Sequence, residues 1–168
     1  MSRKLHNILI TGGAGFIGSN FIHYLFGMSS AEGNLFDDAN FDGTVVNVDC
    51  LTYAGNLESL ADVEAKFGGK RYFFEKVDIC DRENIERIFK QYDIDTVIHF
   101  AAESHVDRSI LGPEAFMKTN VMGTFTLLDV ARNYWKKADG SIRDDVLFHH
   151  ISTDEVYGSL GETGYFRE

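Results

Sequence analysis

Five short apolar runs alternate with four stretches of helical period in this chain, and that alternation leaves few folds open. Asn7-Ile8-Leu9-Ile10 is the first run, and residues 44–49, 72–77, 96–100 and 146–151 supply the others. Between them the periodicity predicts helices from the glycine cluster to about Phe26, over 57–67, over 82–92, and from Pro113 to about Lys137. Ile85, Ile88 and Phe89 share one face of the third helix. Pro113 suits a first helical turn, where its missing N–H costs nothing. Residues 28–43 are rich in Gly, Ser, Asn and Asp without clear period and read as a loop. Strand–helix alternation of this kind requires right-handed crossovers and an α/β fold: a parallel sheet, doubly wound, with helices on both faces. The 168 residues suit one domain with its own core, and no internal repeat, low-complexity segment or Pro-rich linker divides them.

Bulk properties exclude several partners. The formal net charge of -10 argues against duplex nucleic acid or an anionic membrane. No run approaches the length of a membrane span. Met1-Ser2-Arg3-Lys4 leads directly into a strand, unlike a secretory leader, so a cytoplasmic location is expected. Cys50 and Cys80, far apart in sequence and each just past a strand end, read as reduced thiols. His149 and His150 are neighbours in a strand and point to opposite faces, so no metal site is expected there.

Gly12-Gly13-Ala14-Gly15-Phe16-Ile17-Gly18 follows the first strand and opens a helix. A phosphate needs backbone N–H groups at close range, and side chains would block the approach. Gly12, Gly15 and Gly18 would supply a turn, clearance and tight helix packing, the logic of the Rossmann dinucleotide fingerprint with one residue of wider spacing. The second strand ends in Asp49, whose carboxylate would accept hydrogen bonds from a ribose diol and repel a 2′-phosphate, favouring NAD over NADP. Its alternative is an Asp that merely terminates a strand. The third strand ends in Asp78 and Ile79, and the fourth in Ala101 and Ala102, where small side chains leave room for a flat ring. The fifth run leads into Ser152-Thr153-Asp154-Glu155-Val156-Tyr157-Gly158, which puts a hydroxyl and two carboxylates at the carboxyl end of a strand expected to be buried. By itself that triplet equally suits a helix cap.

Together these segments resemble the extended short-chain dehydrogenase/reductases, an NAD-dependent epimerase/dehydratase family with a Rossmann-like fold, and within it the dTDP-glucose 4,6-dehydratases. Thr11 to Gly18, Asp49 to Leu57, Phe100 to Ser109, Thr119 to Thr124 and Ser152 to Gly158 carry the resemblance, and the Thr-Asp-Glu triplet is its most discriminating element. Related epimerases have small or hydroxyl residues at the positions of Asp154 and Glu155. The resemblance implies NAD contacts at Phe16, Ile17, Asp49, Cys50, Leu51, Thr52, Asp78, Ile79, Ala101, Ala102 and Thr119. It implies a dTDP-glucose substrate touched by Ser104 and Thr153, with Asp154 as acid and Glu155 as base. The family commonly has Lys where Cys50 stands.

The reaction so implied oxidises the sugar at C4, eliminates water across C5–C6 and returns the hydride to C6. Both carboxylates would have to leave regular strand backbone to reach one sugar. The family also uses a Tyr-x-x-x-Lys pair on the helix after this loop, and no Tyr of this chain is expected to have Lys four residues later. The chain therefore reads as an NAD-binding domain over residues 1–168, truncated before that helix and before a substrate-binding domain, and inactive alone. Tyr157 reads as structural. Phe125, Leu128 and Ala131 share a helical spacing that suits core or subunit packing, and the family implies a homodimer. Two rivals stay open: another NAD-dependent sugar-nucleotide modifier, and a non-catalytic NAD-binding module.

Overall fold

The computed structural model describes residues 5–28, 41–158 and 164–165; within these, the side chains of Val106, Arg108, Asp154 and Glu155 are outside the description. Most of the expected loop over 28–43 therefore lies outside the described residues. Five strands, β1 (Asn7–Thr11), β2 (Thr44–Val48), β3 (Tyr72–Glu75), β4 (Thr96–His99) and β5 (Leu147–His150), form one parallel sheet in the order β3-β2-β1-β4-β5. Helix α1 (Phe16–Leu25) follows β1, and a 3-10 turn (Leu57–Leu60) runs into α2 (Ala61–Phe67). Helix α3 (Arg82–Tyr92) precedes β4, while α4 (Val106–Leu111), α5 (Pro113–Phe116) and α6 (Thr124–Tyr134) precede β5.

The central strands are apolar at consecutive positions because both faces are covered. Ile8 and Ile10 pack with Val45 and Ile98 against Ile22, Leu25, Leu60 and Val63 on the face carrying α1 and α2. Leu9 and Val97 point the other way, onto Ile85, Ile88 and Phe89 of α3 and Leu127, Val130 and Ala131 of α6. Asp81 caps α3 by accepting from the Asn84 N–H at 3.2 Å, and Asp93 closes it in the left-handed region at φ 48°. Past α6, the Trp135 indole is buried and donates to the Ile94 carbonyl at 2.8 Å.

Three expectations need correcting. Among the described residues the fifth strand is not buried: Leu147 is 41% exposed, because β5 stands outermost there and pairs with β4 alone. The long helix starts at Pro113 as expected but is not uniformly α-helical, since Met117–Gly123 is wound as a π-helix. That wide turn brings Asn120 onto the Glu103 backbone, accepting from its N–H at 2.8 Å and donating to its carbonyl at 2.9 Å. It also seats Gly123 so close to Ile79 that a Cβ would stand 2.4 Å from the Ile79 Cδ1. Helix α4 lacked a periodic signal and was not expected. Phe125 and Leu128 lie on the exposed side of α6, whereas Ala131 is in the core.

Candidate functional site: a cleft at the carboxyl ends of β1 to β4

Strand order runs outward from β1 to β2 and β3 on one side and to β4 and β5 on the other, so the sheet has a switch point between β1 and β4. Ligands of open parallel sheets bind in the crevice outside the strand ends at such a point. A cleft of about 520 Å³ lies there, a volume suited to a small molecule or cofactor.

One wall is the turn from β1 into α1. Gly12 adopts φ +69°, and a Cβ on it would stand 2.7 Å from the Ala101 nitrogen, so no other residue fits without moving the end of β4. A Cβ on Gly18 would reach 2.4 Å from the Gly12 carbonyl oxygen, which lets α1 start directly on the turn. Gly15 is under less pressure, with its nearest neighbour at 3.2 Å. It occupies the N-cap of α1, where no side chain satisfies the first-turn N–H groups. Phe16 and Ile17, the first two helical residues, are exposed and flank these amides.

The β2 exit supplies Asp49. Its carboxylate accepts from the Ala14 N–H at 3.1 Å and the Leu51 N–H at 2.8 Å, tying the glycine turn to the end of β2. Each oxygen keeps a lone pair for a ligand hydroxyl. Cys50 and Thr52 line the cleft, but Leu51 does not. Its backbone turns through φ 55°, and its Cα and Cδ2 pack against Gly55. Both cysteines are free. Burial, then the Asp49 and Asp78 carboxylates, push the Cys50 thiol pKa up, which keeps it protonated.

At the β3 exit, Asp78 and Ile79 line the cleft. Burial pulls the Asp78 pKa up, but the Cys80 N–H at 2.9 Å and the Lys118 ammonium at 3.3 Å outweigh it and hold the carboxyl below its usual range. Ala101, Ala102 and Ser104 from the β4 exit and Thr119 from the π-helical turn complete the wall. Thr153 is exposed and is not on the wall, although Ile151, two residues before it, is. The backbone of Asp154–Tyr157 forms a 3-10 turn, so both carboxylate-bearing positions have left the strand. The side chains of Asp154 and Glu155 lie outside the described residues.

Sequence reasoning missed Gly13 and Lys118. A Cβ on Gly13 would meet the Asn47 Oδ1 at 2.3 Å, a close approach of the turn after β1 to β2 that no glycine spacing reports. Lys118 lines the cleft beside the expected Thr119, and its pairing with Asp78 joins residues far apart in sequence. Tyr-x-x-x-Lys spacing does occur, at Tyr72 and Lys76. Tyr72 is buried in β3, where its hydroxyl accepts from Asn47 Nδ2 at 2.9 Å, so it cannot serve a sugar. Tyr157, expected to be structural, is 51% exposed.

Comparison with known proteins agrees with this fold. The chain is 54% identical over 153 residues to dTDP-glucose 4,6-dehydratase of Salmonella typhimurium, a match spanning 91% of this chain and 38% of the relative. It is 51% identical over 159 residues to the Neisseria meningitidis enzyme of the same name, across 95% of this chain and 41% of the relative. Among solved structures, the dTDP-glucose 4,6-dehydratase DesIV of Streptomyces venezuelae, with NAD bound, aligns at a TM-score of 0.75 and 41% identity, over 95% of this chain and 43% of that one. UDP-glucose 4-epimerase of Thermotoga maritima aligns at 0.60 and 33% identity, over 76% of this chain and 34% of that one. The chain thus spans about two fifths of the length of its dehydratase relatives. A family model described as GDP-mannose 4,6 dehydratase matches residues 9–168, and the chain belongs to that family.

Proposed function

We propose that this chain supplies the NAD-binding part, and the acid–base triplet, of a dTDP-glucose 4,6-dehydratase. The observation that carries the reading is the cleft at the β1/β4 switch point, floored by obligatory glycines and bordered by Asp49, with Thr153-Asp154-Glu155 following the next strand of the same sheet edge. The 54% identity to a dehydratase of that name supports it.

The residues present fit a dinucleotide. Bare backbone at Gly12 and Gly15 with the uncapped first turn of α1 suits a pyrophosphate. Asp49 would hold the adenosine ribose diol and repel a 2′-phosphate, giving NAD over NADP. Ala101 and Ala102 leave a flat wall for the nicotinamide ribose. When bound, NAD supplies reversible storage of a hydride taken from sugar C4 and returned to C6.

This chain's own residues account for the proton movements at C5 and C6, while the C4 hydroxyl proton lost on oxidation passes to the tyrosine of the family's Tyr-x-x-x-Lys pair. Thr153 hydrogen-bonds the C4 hydroxyl, and Ser104 contacts the sugar nucleotide. Oxidation at C4 makes the C5 proton α to a carbonyl, acidifying it enough for a carboxylate to remove. Glu155 removes that proton while Asp154 protonates the departing C6 hydroxyl, and water leaves. The product is dTDP-4-keto-6-deoxyglucose. Each positioned proton transfer contributes about 10²–10⁴-fold. Two adjacent carboxyls can divide these roles once their surroundings separate their pKa values.

The test is product analysis on the full-length protein with dTDP-glucose in deuterated water. A 4-keto-6-deoxy product carrying deuterium at C5 is expected, and Glu155→Gln should slow its formation by about 10²–10⁴-fold. A 4-epimer as the sole product would assign the chain to the epimerase chemistry of its other structural neighbours. In this reading the 168-residue chain alone does not turn over, because hydride transfer needs the Tyr-x-x-x-Lys pair. The protein is cytoplasmic in the same reading, and no helix among the described residues is long and apolar enough to cross a membrane. Val121, Phe125 and Leu128, exposed on one side of the long helix, would be covered in a homodimer.

A further inference from the structure

The imidazole of His99 is the most deeply buried of the protein's histidines, and the chemistry above gives it no task. His99 is the last residue of β4 and 1% exposed. Its Nδ1 lies 2.6 Å from Thr11 Oγ1 and its Nε2 2.9 Å from Thr124 Oγ1. Thr11 is the last residue of β1, directly before Gly12, and Thr124 is the first of α6, directly after Gly123. Thr11 Oγ1 also accepts from the Ala101 N–H at 3.2 Å. One ring therefore joins the glycine turn, the Ala101 wall and the helix that packs on Ile79.

A hydroxyl oxygen has one proton to give and two acceptor sites, so both ring tautomers fit these distances; in the order assigned here Thr11 Oγ1 accepts from Ala101 and donates its own proton to His99 Nδ1. The other nitrogen then carries hydrogen and donates to Thr124. The order is Ala101 N–H to Thr11, Thr11 O–H to Nδ1, and Nε2–H to Thr124. A buried chain of this kind fixes geometry, since each member left unpaired would bear its full desolvation cost. Burial, with the nearby His150 adding to it, lowers the His99 pKa to about 4, so the ring is neutral, as the chain requires.

We propose that His99, as the Nε2–H tautomer, is a positioning residue that sets the spacing between the Gly12 turn and the Ala101 backbone, and so the fit of the cofactor, through Thr11 and Thr124. This rests on the NAD reading of the cleft. Neither threonine lines the cleft, and Thr124 is a turn of helix away from any backbone the cofactor would touch. Gly123, directly before Thr124, packs on Ile79 of the cleft wall, so the double-mutant cycle with Thr11 separates a route through the imidazole from one through the helix backbone.

The experiment is NAD titration of the full-length protein and a double-mutant cycle at the two threonines. Thr11→Val and Thr124→Val, each isosteric, should weaken NAD binding by roughly tenfold. Thr11→Ser, which keeps the hydroxyl, should restore it. The double variant should be no weaker than Thr11→Val alone, because breaking either link already frees the ring. Nitrogen NMR of the wild type should show protonated Nε2 and bare Nδ1 at His99. Should Thr11→Val not fold, Thr124→Val and the tautomer carry the test. Unchanged affinity in Thr124→Val, strictly additive losses, or the Nδ1–H tautomer would overturn the proposal. A wild type that fails to bind NAD would instead overturn the cofactor reading on which it rests.

Discussion

Replacing His99 with Gln should change how stability depends on pH, and the size of the change follows from where the imidazole sits. A histidine in the unfolded chain titrates near 6.5, whereas His99 in the fold titrates at about 4, chiefly because burial disfavours its charge and secondarily because of His150. With the folded pKa depressed, the unfolded chain takes up a proton first as pH falls. The contribution of neutral His99 is thus complete above the unfolded value and is lost between about pH 6.5 and about pH 4. From about pH 7.5 to about pH 5 the loss amounts to about 2 kcal/mol. Carboxyls held low in the fold have the same sign but act lower: Glu75, whose Arg87 bond outweighs its burial, and Asp78 lose their contribution mainly below about pH 5. Urea unfolding of the chain, followed by Trp135 (the sole tryptophan, buried among the α3 and α6 contacts), reports the stability. Gln leaves a packing defect whose cost is nearly independent of pH. The wild type should therefore exceed His99→Gln by about 2 kcal/mol more at about pH 7.5 than at about pH 5. A gap that stays constant across that range would show that His99 is not a buried neutral base.

Two further outcomes follow from the cleft. Gly12→Ala should destabilise by about 2–4 kcal/mol in the same urea assay, since it combines a left-handed backbone with a 2.7 Å approach to the Ala101 nitrogen. Gly15→Ala, with its nearest contact at 3.2 Å and φ of -78°, should cost less than about 1 kcal/mol yet weaken NAD in titration calorimetry; equal behaviour of the two variants would refute the division of labour. Cys50 is exposed on the cleft wall, so millimolar NAD should slow its reaction with an aromatic disulfide several-fold, while Cys50→Ser should remove that protectable fraction.

Helix α3 shows how far local pattern reaches. Ile85, Ile88 and Phe89 declare its buried face, and its observed ends coincide with those expected, because Asp81 caps it locally and Asp93 closes it. The cleft was legible at Gly12, Gly15, Gly18, Asp49, Asp78, Ala101 and Ala102 for a related reason: each follows an apolar run, and parallel strands bring their carboxyl ends to one edge. Leu51 does not line the cleft, and its sequence distance from Asp49 does not show that the backbone turns left-handed there. The exposure of β5 was not readable, since a run of Leu147 and Phe148 looks the same at the rim of a sheet as in its middle.

Order, period and glycine placement in this sequence are enough to determine an α/β sheet with a phosphate-compatible turn, because these depend on backbone limits that act over a few residues. Only the tertiary structure decided that Gly13 must clear Asn47, that Lys118 answers Asp78, and that His99 joins Thr11 to Thr124. Those contacts link residues 25 or more apart in the chain, as the 25 separating His99 from Thr124 illustrate. They arise from the crossing of strands and helices, which no local periodicity records.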